Sequence, residues 1–441
     1  MTETVTISVT PALTLRHTRD TRFKTARLTL VLALPADGET SPLTTLLCGI
    51  FSRGSEHYPR LALLNRRLDE LYGTTLAVRN YLHGDSHVVC YTAEMPEQVF
   101  LPPADADMDI LGGVTELLAD MLLRPLTDGD GTLCARHVER EKQTLCDGIR
   151  AQRNDPRAYA GNRLREIMCK GEPYGISIDG SVEQVMAVTP EQVTAHHKAL
   201  LSRVRLEVFY TGRASCETVA AALTSAFAGW KPTPVCMIPA APHIPPAVPV
   251  SVTEDMEVSQ GKLCMAWACG ENFTTLKDAP DDRAAYAVCN ELFGVMQSSL
   301  LFRHVREELG LCYYCDSALD MTKGILWVSC GIRPEKRAEA EAAITEQLAR
   351  IQRGEITPDE TERAKLSLQN VYRQMEDSQS AREIFSLHRL LNATTDTPGE
   401  ELDRIMRVTP ADLSRVASRF RPDTVFFLNG TAEEGEEDYD E

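Results

Sequence analysis

Arg306 and Tyr313 are the residues of this sequence whose types and spacing best suit chemistry on a bound carbonyl. They stand seven residues apart in QSSLLFRHVREELGLCYYC, Gln297 to Cys315. A guanidinium presents a planar fork of donors to a carbonyl or carboxylate, and a phenol donates one hydrogen bond to an oxygen gaining charge. Leu300, Leu301, Val305 and Leu309 recur three or four apart, which predicts a helix with one apolar side. Gly310 then stops it and Leu311 to Tyr314 read as a strand. The corner thus puts Arg306 near a helix end and Tyr313 just inside a strand. Taken by itself, such a corner is better served by Arg306 pairing with a glutamate and Tyr313 filling core.

The elements that must position this corner follow from pattern. Strands are predicted over 22–34, 75–82, 86–94 and 204–211, and helices over 42–52, 59–71, 105–124, 132–153, 157–169, 181–187, 190–201 and 215–228. Ser41 reads as an N-cap with Pro42 in the first turn. Residues 231–250 hold seven of the 24 prolines, a density neither a helix nor a central strand tolerates, so they read as an extended, semi-rigid linker. The order then restarts. Strands are predicted at 251–256, 262–269, 311–319, 324–331 and 424–429, and helices at 281–293, 297–309, 334–352, 358–393, 398–406 and 410–420.

The second half repeats the first. VMAVTP (Val185 to Pro190) returns as IMRVTP (Ile405 to Pro410) at an offset of 220. EREKQTLCDGIR (Glu139 to Arg150) returns as ERAKLSLQNVYR (Glu362 to Arg373) at an offset of 223. Two matches at nearly one offset mark a duplication. The expected organisation is α+β: an N-terminal domain over 1–230, the linker, a C-terminal domain over 251–430 carrying Arg306 and Tyr313, and a tail over 431–441. A cleft between two such domains is a favoured place for a ligand.

With 43% hydrophobic and 25% charged residues the composition is that of a globular chain, and no apolar run of 18 residues predicts a membrane span. The N-terminus lacks the pattern of a signal peptide. The formal charge of −18 argues against nucleic acid and anionic membrane as partners. Seven acidic residues fall in Glu433 to Glu441, a tail expected to be disordered and solubilising. Thirteen cysteines at scattered positions read as reduced thiols filling core, hence a cytoplasmic protein. Cys312 and Cys315 form a C-x-x-C pair in a strand, and without a second pair at ligand spacing neither a zinc ribbon nor a redox motif is expected.

ELFGVMQSSLLFRHVREELGLCYY resembles the motif G-x-x-SSRLF-x-x-VREKxGLxYS of the insulinase (pitrilysin) family of zinc metallopeptidases. Ser298, Ser299, Leu301, Phe302, Val305, Arg306, Glu307, Gly310, Leu311 and Tyr313 stand in the matching places. EPYGISIDG (Glu172 to Gly180) is similar to the family's HPYGxxxxG, and FSRGS (Phe51 to Ser55) to its LFKGT. The resemblance runs from about residue 20 to 430. It implies two homologous LuxS/metallopeptidase-like domains, each a mainly antiparallel sheet with helices on one face.

The family's zinc motif, H-x-x-E-H with a later glutamate, supplies two imidazoles and a carboxylate to Zn²⁺ and a base to its water. Counting back from Arg53, those five places fall on Thr45, Leu46, Leu47, Cys48 and Gly49, and the later glutamate falls on Gly148. No H-x-x-E-H or H-E-x-x-H occurs elsewhere. His57, His196 and His197 read as surface or satisfied histidines. No metal or other cofactor is expected in this chain.

NRRLDELYGTTL, REKQTL and MCKGEPYG resemble the YmfF-type subgroup, whose naming links it to aminopentanol modification of elongation factor P. The resemblance implies a non-catalytic subunit of a heterodimer. An H-x-x-E-H-bearing partner would hold the zinc, and Arg306 and Tyr313 would bind the peptide substrate and its oxyanion. An alternative is a non-proteolytic structural or binding subunit of the same fold. A third reading is an autonomous hydrolase rebuilt around Cys48 or another metal, although no basic neighbour stands beside Cys48 in sequence.

Overall fold

The strands predicted from alternation form, and two more precede them. In this computed structural model, which describes residues 4–235 and 239–431, the chain opens with Thr4–Thr10 (β1) and Leu13–Arg19 (β2), a hairpin not predicted from pattern. There follow Thr25–Pro35 (β3), Thr75–His83 (β4), Ser86–Pro96 (β5) and Leu206–Gly212 (β6). In the second half stand Val250–Met256 (β7), Gly261–Ala268 (β8), Cys312–Asp320 (β9), Ile325–Ile332 (β10) and Arg421–Gly430 (β11).

The chain divides into two compact units. The first holds the described residues up to Arg150 and those from Ile176 to 235. The second holds Ala151–Gly175 and everything described from Pro239 onward. The helix Pro156–Met168 and the EPYG turn therefore pack with the C-terminal unit, although in sequence they belong to the first half.

Both units are α+β. The first sheet runs β1-β2-β6-β3-β5-β4 and the second β7-β11-β8-β10-β9. Every neighbouring pair is antiparallel except β2 with β6 and β7 with β11, which are parallel. Remove β1 and the two orders superimpose strand for strand, so the duplication read from the sequence is also a duplication of topology. The repeated Val-Thr-Pro places act alike: Thr189 and Thr409 each cap a helix in a capping box, with Gln192 and Asp412 as the reciprocal partners.

In the first unit the buried residues of β3 (Leu28, Leu30, Leu32) share one core with Leu46, Leu47, Ile50 and Phe51 of the helix Ser41–Phe51 and with Val114, Leu117 and Leu118 of the helix Ile110–Leu123. Thr40, rather than Ser41, is the residue before that first helix, and Pro42 sits in its first turn as expected. In the second unit Leu263 and Met265 of β8 pack with Val288 and Phe293, Leu301 and Val305, and Ile344 and Leu348.

Two helical predictions change form. The stretch 358–393 breaks into Pro358–Glu376 and Gln379–Leu391, because Ser378 caps the second piece by accepting from Ala381 N. The helix predicted over 297–309 is a π-helical segment, Leu301–Glu308, and a second such turn spans Glu291–Val295. Among the described residues no helix is long and apolar enough to cross a membrane. The described part of the proline-rich stretch carries neither helix nor strand until Val250. The acidic tail falls outside the described residues beyond Thr431.

Candidate functional site

In the first unit the five places aligned with the zinc motif lie on the helix Ser41–Phe51. Leu46 and Leu47 face the core. The Thr45 hydroxyl donates to Ile178 O at 2.9 Å and accepts from Asn80 Nδ2 at 2.9 Å. Cys48 is buried, and burial pushes its thiol up to about 12, so it stays protonated at neutral pH and offers no nucleophile. Gly49 is where the second imidazole would be. The space a side chain needs there is taken by Oε2 of Glu141, on the helix Ala135–Ala151, which is ion-paired with Arg53. Gly148, the place of the third ligand, lies exposed on that same helix. The carboxylate at this position is thus already neutralised by a guanidinium, and no imidazole stands at a ligand place. These residues do not fit a zinc ion.

The histidines set aside above are held by protein partners. His57 Nδ1 lies 2.6 Å from Asp120 Oδ1, His196 Nε2 lies 2.8 Å from the Thr44 hydroxyl, and His197 Nε2 lies 2.9 Å from Leu122 O. Buried His87 differs: neither ring nitrogen has a hydrogen-bond partner among the described residues, and burial, with the charge of His196, pushes it down to about 4.

In the second unit the Arg306–Tyr313 corner forms with a tighter local geometry than a plain helix–strand junction. Leu309 N donates to His304 O, five residues back, at 3.1 Å, which is π-helical winding, a conformation frequent at functional sites. Gly310 takes φ +59° and turns the chain into β9. Between β9 and β10 the register slips: Gly331 faces Tyr314 and Ile332 faces Cys312. Tyr313 is the residue this bulge leaves unpaired, and bulges of this kind re-aim a side chain.

Tyr313 is 50% exposed and so does not fill core. The Arg306 side chain is 41% exposed; its guanidinium carbon lies 4.7 Å from the Phe302 ring centre and its Nε is 3.5 Å from Glu307 Oε1, a loose contact. Both side chains are therefore presented to solvent rather than spent on packing.

The EPYG turn has a role that pattern alone did not reveal. His243, in the proline-rich stretch, is buried between two carboxylates, with Nδ1 2.5 Å from Glu172 Oε1 and Nε2 3.0 Å from Asp423 Oδ2. Buried Lys323 Nζ lies 2.8 Å from Glu172 Oε2, and Tyr174 donates to Asp320 Oδ2 at 2.6 Å. Burial alone would push His243 down, but its hydrogen bonds with Asp423, Cys169 and Glu172 raise it to about 11. Burial likewise works against the Glu172 carboxylate, yet His243 and Lys323 hold it down at about 2. These partners are 71 and 180 residues from His243 in the chain, so no local signal could have joined them. The Arg53–Glu141 pair, 88 residues apart, escaped for the same reason.

The family described as peptidase M16 inactive domain matches residues 187–368. The Bacillus subtilis protein named "Probable inactive metalloprotease YmfF" is 28% identical over 420 residues, covering 95% of this chain and 96% of that protein. A conserved protein from Enterococcus faecalis has a crystal structure similar at a TM-score of 0.87 with 25% identity, over 98% of this chain and 100% of that one. The structure of a peptidase M16 inactive domain from Pseudomonas fluorescens is similar at 0.77 with 17% identity, over 98% and 100% of the two chains.

Proposed function

We infer that this chain, a homologue of the inactive type in the M16 (insulinase/pitrilysin) zinc peptidase family, acts as a non-catalytic subunit that completes the active site of an H-x-x-E-H-bearing partner. The observation that carries the reading is an asymmetry. Where a metal would be gripped, Gly49 and Gly148 have no side chain and Glu141 is paired with Arg53. Where a substrate oxygen would be gripped, Arg306 and Tyr313 are intact and exposed.

The roles follow from the side chains. Tyr313 donates its hydroxyl to the oxygen that becomes negative as the peptide carbon turns tetrahedral. Arg306 holds the adjoining carbonyl or the product carboxylate with its planar fork of donors. The metal and its water belong to the partner, as does the general base, because Cys48 stands at that position here. The substrate is a peptide, and the assembly works in the cytoplasm.

The test is reconstitution. This chain and its H-x-x-E-H-bearing relative are purified separately and together, and metal content and peptide cleavage are measured for each. The reading expects stoichiometric zinc in the relative alone, and cleavage that rises sharply when this chain is added. Cleavage by the relative at the same rate with or without this chain contradicts it.

A further inference from the structure

Three thiols meet one residue away from Tyr313. Cys312 and Cys315 lie on β9, and Cys330 lies on β10 directly opposite Cys315. In a regular strand, residues three apart point to opposite faces. The bulge at Tyr313 cancels that alternation, because its extra residue shifts Cys312 by one place in the pleat. The Sγ atoms of Cys312, Cys315 and Cys330 consequently all lie within 4.8 Å of one another. The sequence pattern showed only the C-x-x-C pair; the third member, Cys330, arrives through strand register.

The three sulfurs are unequal in access. Cys330 is fully buried at 0% exposed and Cys315 is nearly so, whereas Cys312 is half-buried and leaves a way in from solvent. The three sulfurs are the only His, Cys, Asp or Glu ligand atoms of this group among the described residues. A metal–sulfur bond of about 2.3 Å places sulfurs of one coordination shell about 3.8 to 4.0 Å apart. The cluster therefore needs to close by about an ångström or less, which side-chain rotation supplies without breaking the β9–β10 ladder.

We propose that Cys312, Cys315 and Cys330 form a site for a soft, thiophilic monovalent cation, Cu(I), held by three thiolates. The chemistry of the donor set selects the ion. Sulfur-only ligation excludes Mg²⁺ and Ca²⁺, which require oxygen. Structural zinc takes four ligands almost without exception, and the described residues supply three here. Cu(I) accepts three thiolates and prefers them to nitrogen or oxygen. Binding is a plain exchange in which the cation enters and the thiols release their protons, with no change of oxidation state. Arg306, whose charge acts on Cys312, offsets part of the negative charge of the filled site. A cation there ties β9 to β10 across the bulge that carries Tyr313, and so fixes the direction of that side chain. The site does not depend on a peptidase partner.

The experiment uses the full chain, reduced and kept anaerobic, with a thiol count under denaturation to confirm that all thirteen cysteines are free. Cu(I) is added from a chromogenic chelator that competes for it, and Zn(II) is titrated in parallel. The expected result is one Cu(I) per chain with sulfur-to-copper charge-transfer absorption, and weaker uptake of Zn(II). Cys312→Ser, at a half-buried position that tolerates the change, should weaken Cu(I) binding by at least about 100-fold, beyond the effect typical of removing an outer-shell partner. Cys216→Ser, away from the cluster, should bind as the parent does. A fully reduced parent that takes up no Cu(I) overturns the proposal, and so does Cys312→Ser binding as tightly as the parent.

Discussion

Gly49 leaves its helix open where the carboxylate of Glu141 lies, so that a methyl group at position 49 would overlap Glu141 Oε2. At this place aligned with the zinc motif, the carboxylate of Glu141, ion-paired with Arg53, occupies the room a side chain would use. The two glycines aligned with the zinc motif should consequently answer oppositely to alanine. In a helix interior, glycine to alanine contributes about 1 kcal/mol of stability. Gly148, exposed and with nothing near its missing side chain, should gain roughly that amount. Gly49→Ala must displace a buried, paired carboxylate, which costs about 1–3 kcal/mol and outweighs the helix gain. Urea unfolding of both variants checks this, and a stabilised Gly49→Ala would contradict it.

Buried His87 gives the first unit an acid limb. Its folded pKa, about 4, lies below the ordinary 6.5, so the unfolded chain takes up the proton first as pH falls. The contribution is complete above pH 6.5 and is lost as pH drops from 6.5 toward 4, on the order of 3 kcal/mol in all. His87→Phe keeps the volume and removes the titration, so its stability should fall less over that interval. Equal slopes for the parent and His87→Phe would rule out this assignment.

The His243 clamp predicts the reverse limb in the second unit. With a folded pKa of about 11 against 6.5, His243 stabilises fully below pH 6.5, and that stability drains away as pH rises through 11. Glu172, at about 2 against 4.5, stabilises above pH 4.5 and is lost as pH falls toward 2. His243→Gln leaves Asp423 buried without its cation, a change that costs roughly 3–5 kcal/mol. Melting curves across pH should show that variant lowered most below pH 6.5 and converging on the parent only as pH rises toward 11. A constant difference between the two at all pH values would discount the clamp.

Much of the fold was legible because periodicity and punctuation are local. Gly310 ended a helix and took positive φ as its place required, and the Val-Thr-Pro repeats marked equivalent caps. β1 and β2 were missed although both alternate and carry β-branched residues, because the Pro11–Ala12 loop that joins them lacks the glycine or asparagine of the usual two-residue hairpin. The π-helical winding at Leu301–Glu308 was not legible, since the same apolar spacing serves an α-helix. At the site, Arg306 and Tyr313 could be found as residue types at a spacing. The bulge that frees Tyr313, the Arg53–Glu141 pair and the third thiol depend on register and on contacts tens of residues apart.

Arg306 and Tyr313 should matter for cleavage and not for folding. Both are substantially exposed, so Arg306→Ala and Tyr313→Phe should leave stability within about 0.5 kcal/mol of the parent. Each loss should show in turnover by the assembled pair, because removing one oxyanion donor typically costs about 10² to 10³ in rate.

The decisive measurement is kcat for peptide cleavage by the zinc-bearing relative assembled with Tyr313→Phe, with assembly and melting temperature recorded on the same samples. The account predicts an intact complex, an unchanged melt and a kcat lower by about 10² or more. A Tyr313→Phe complex that cleaves at the parent rate would contradict it.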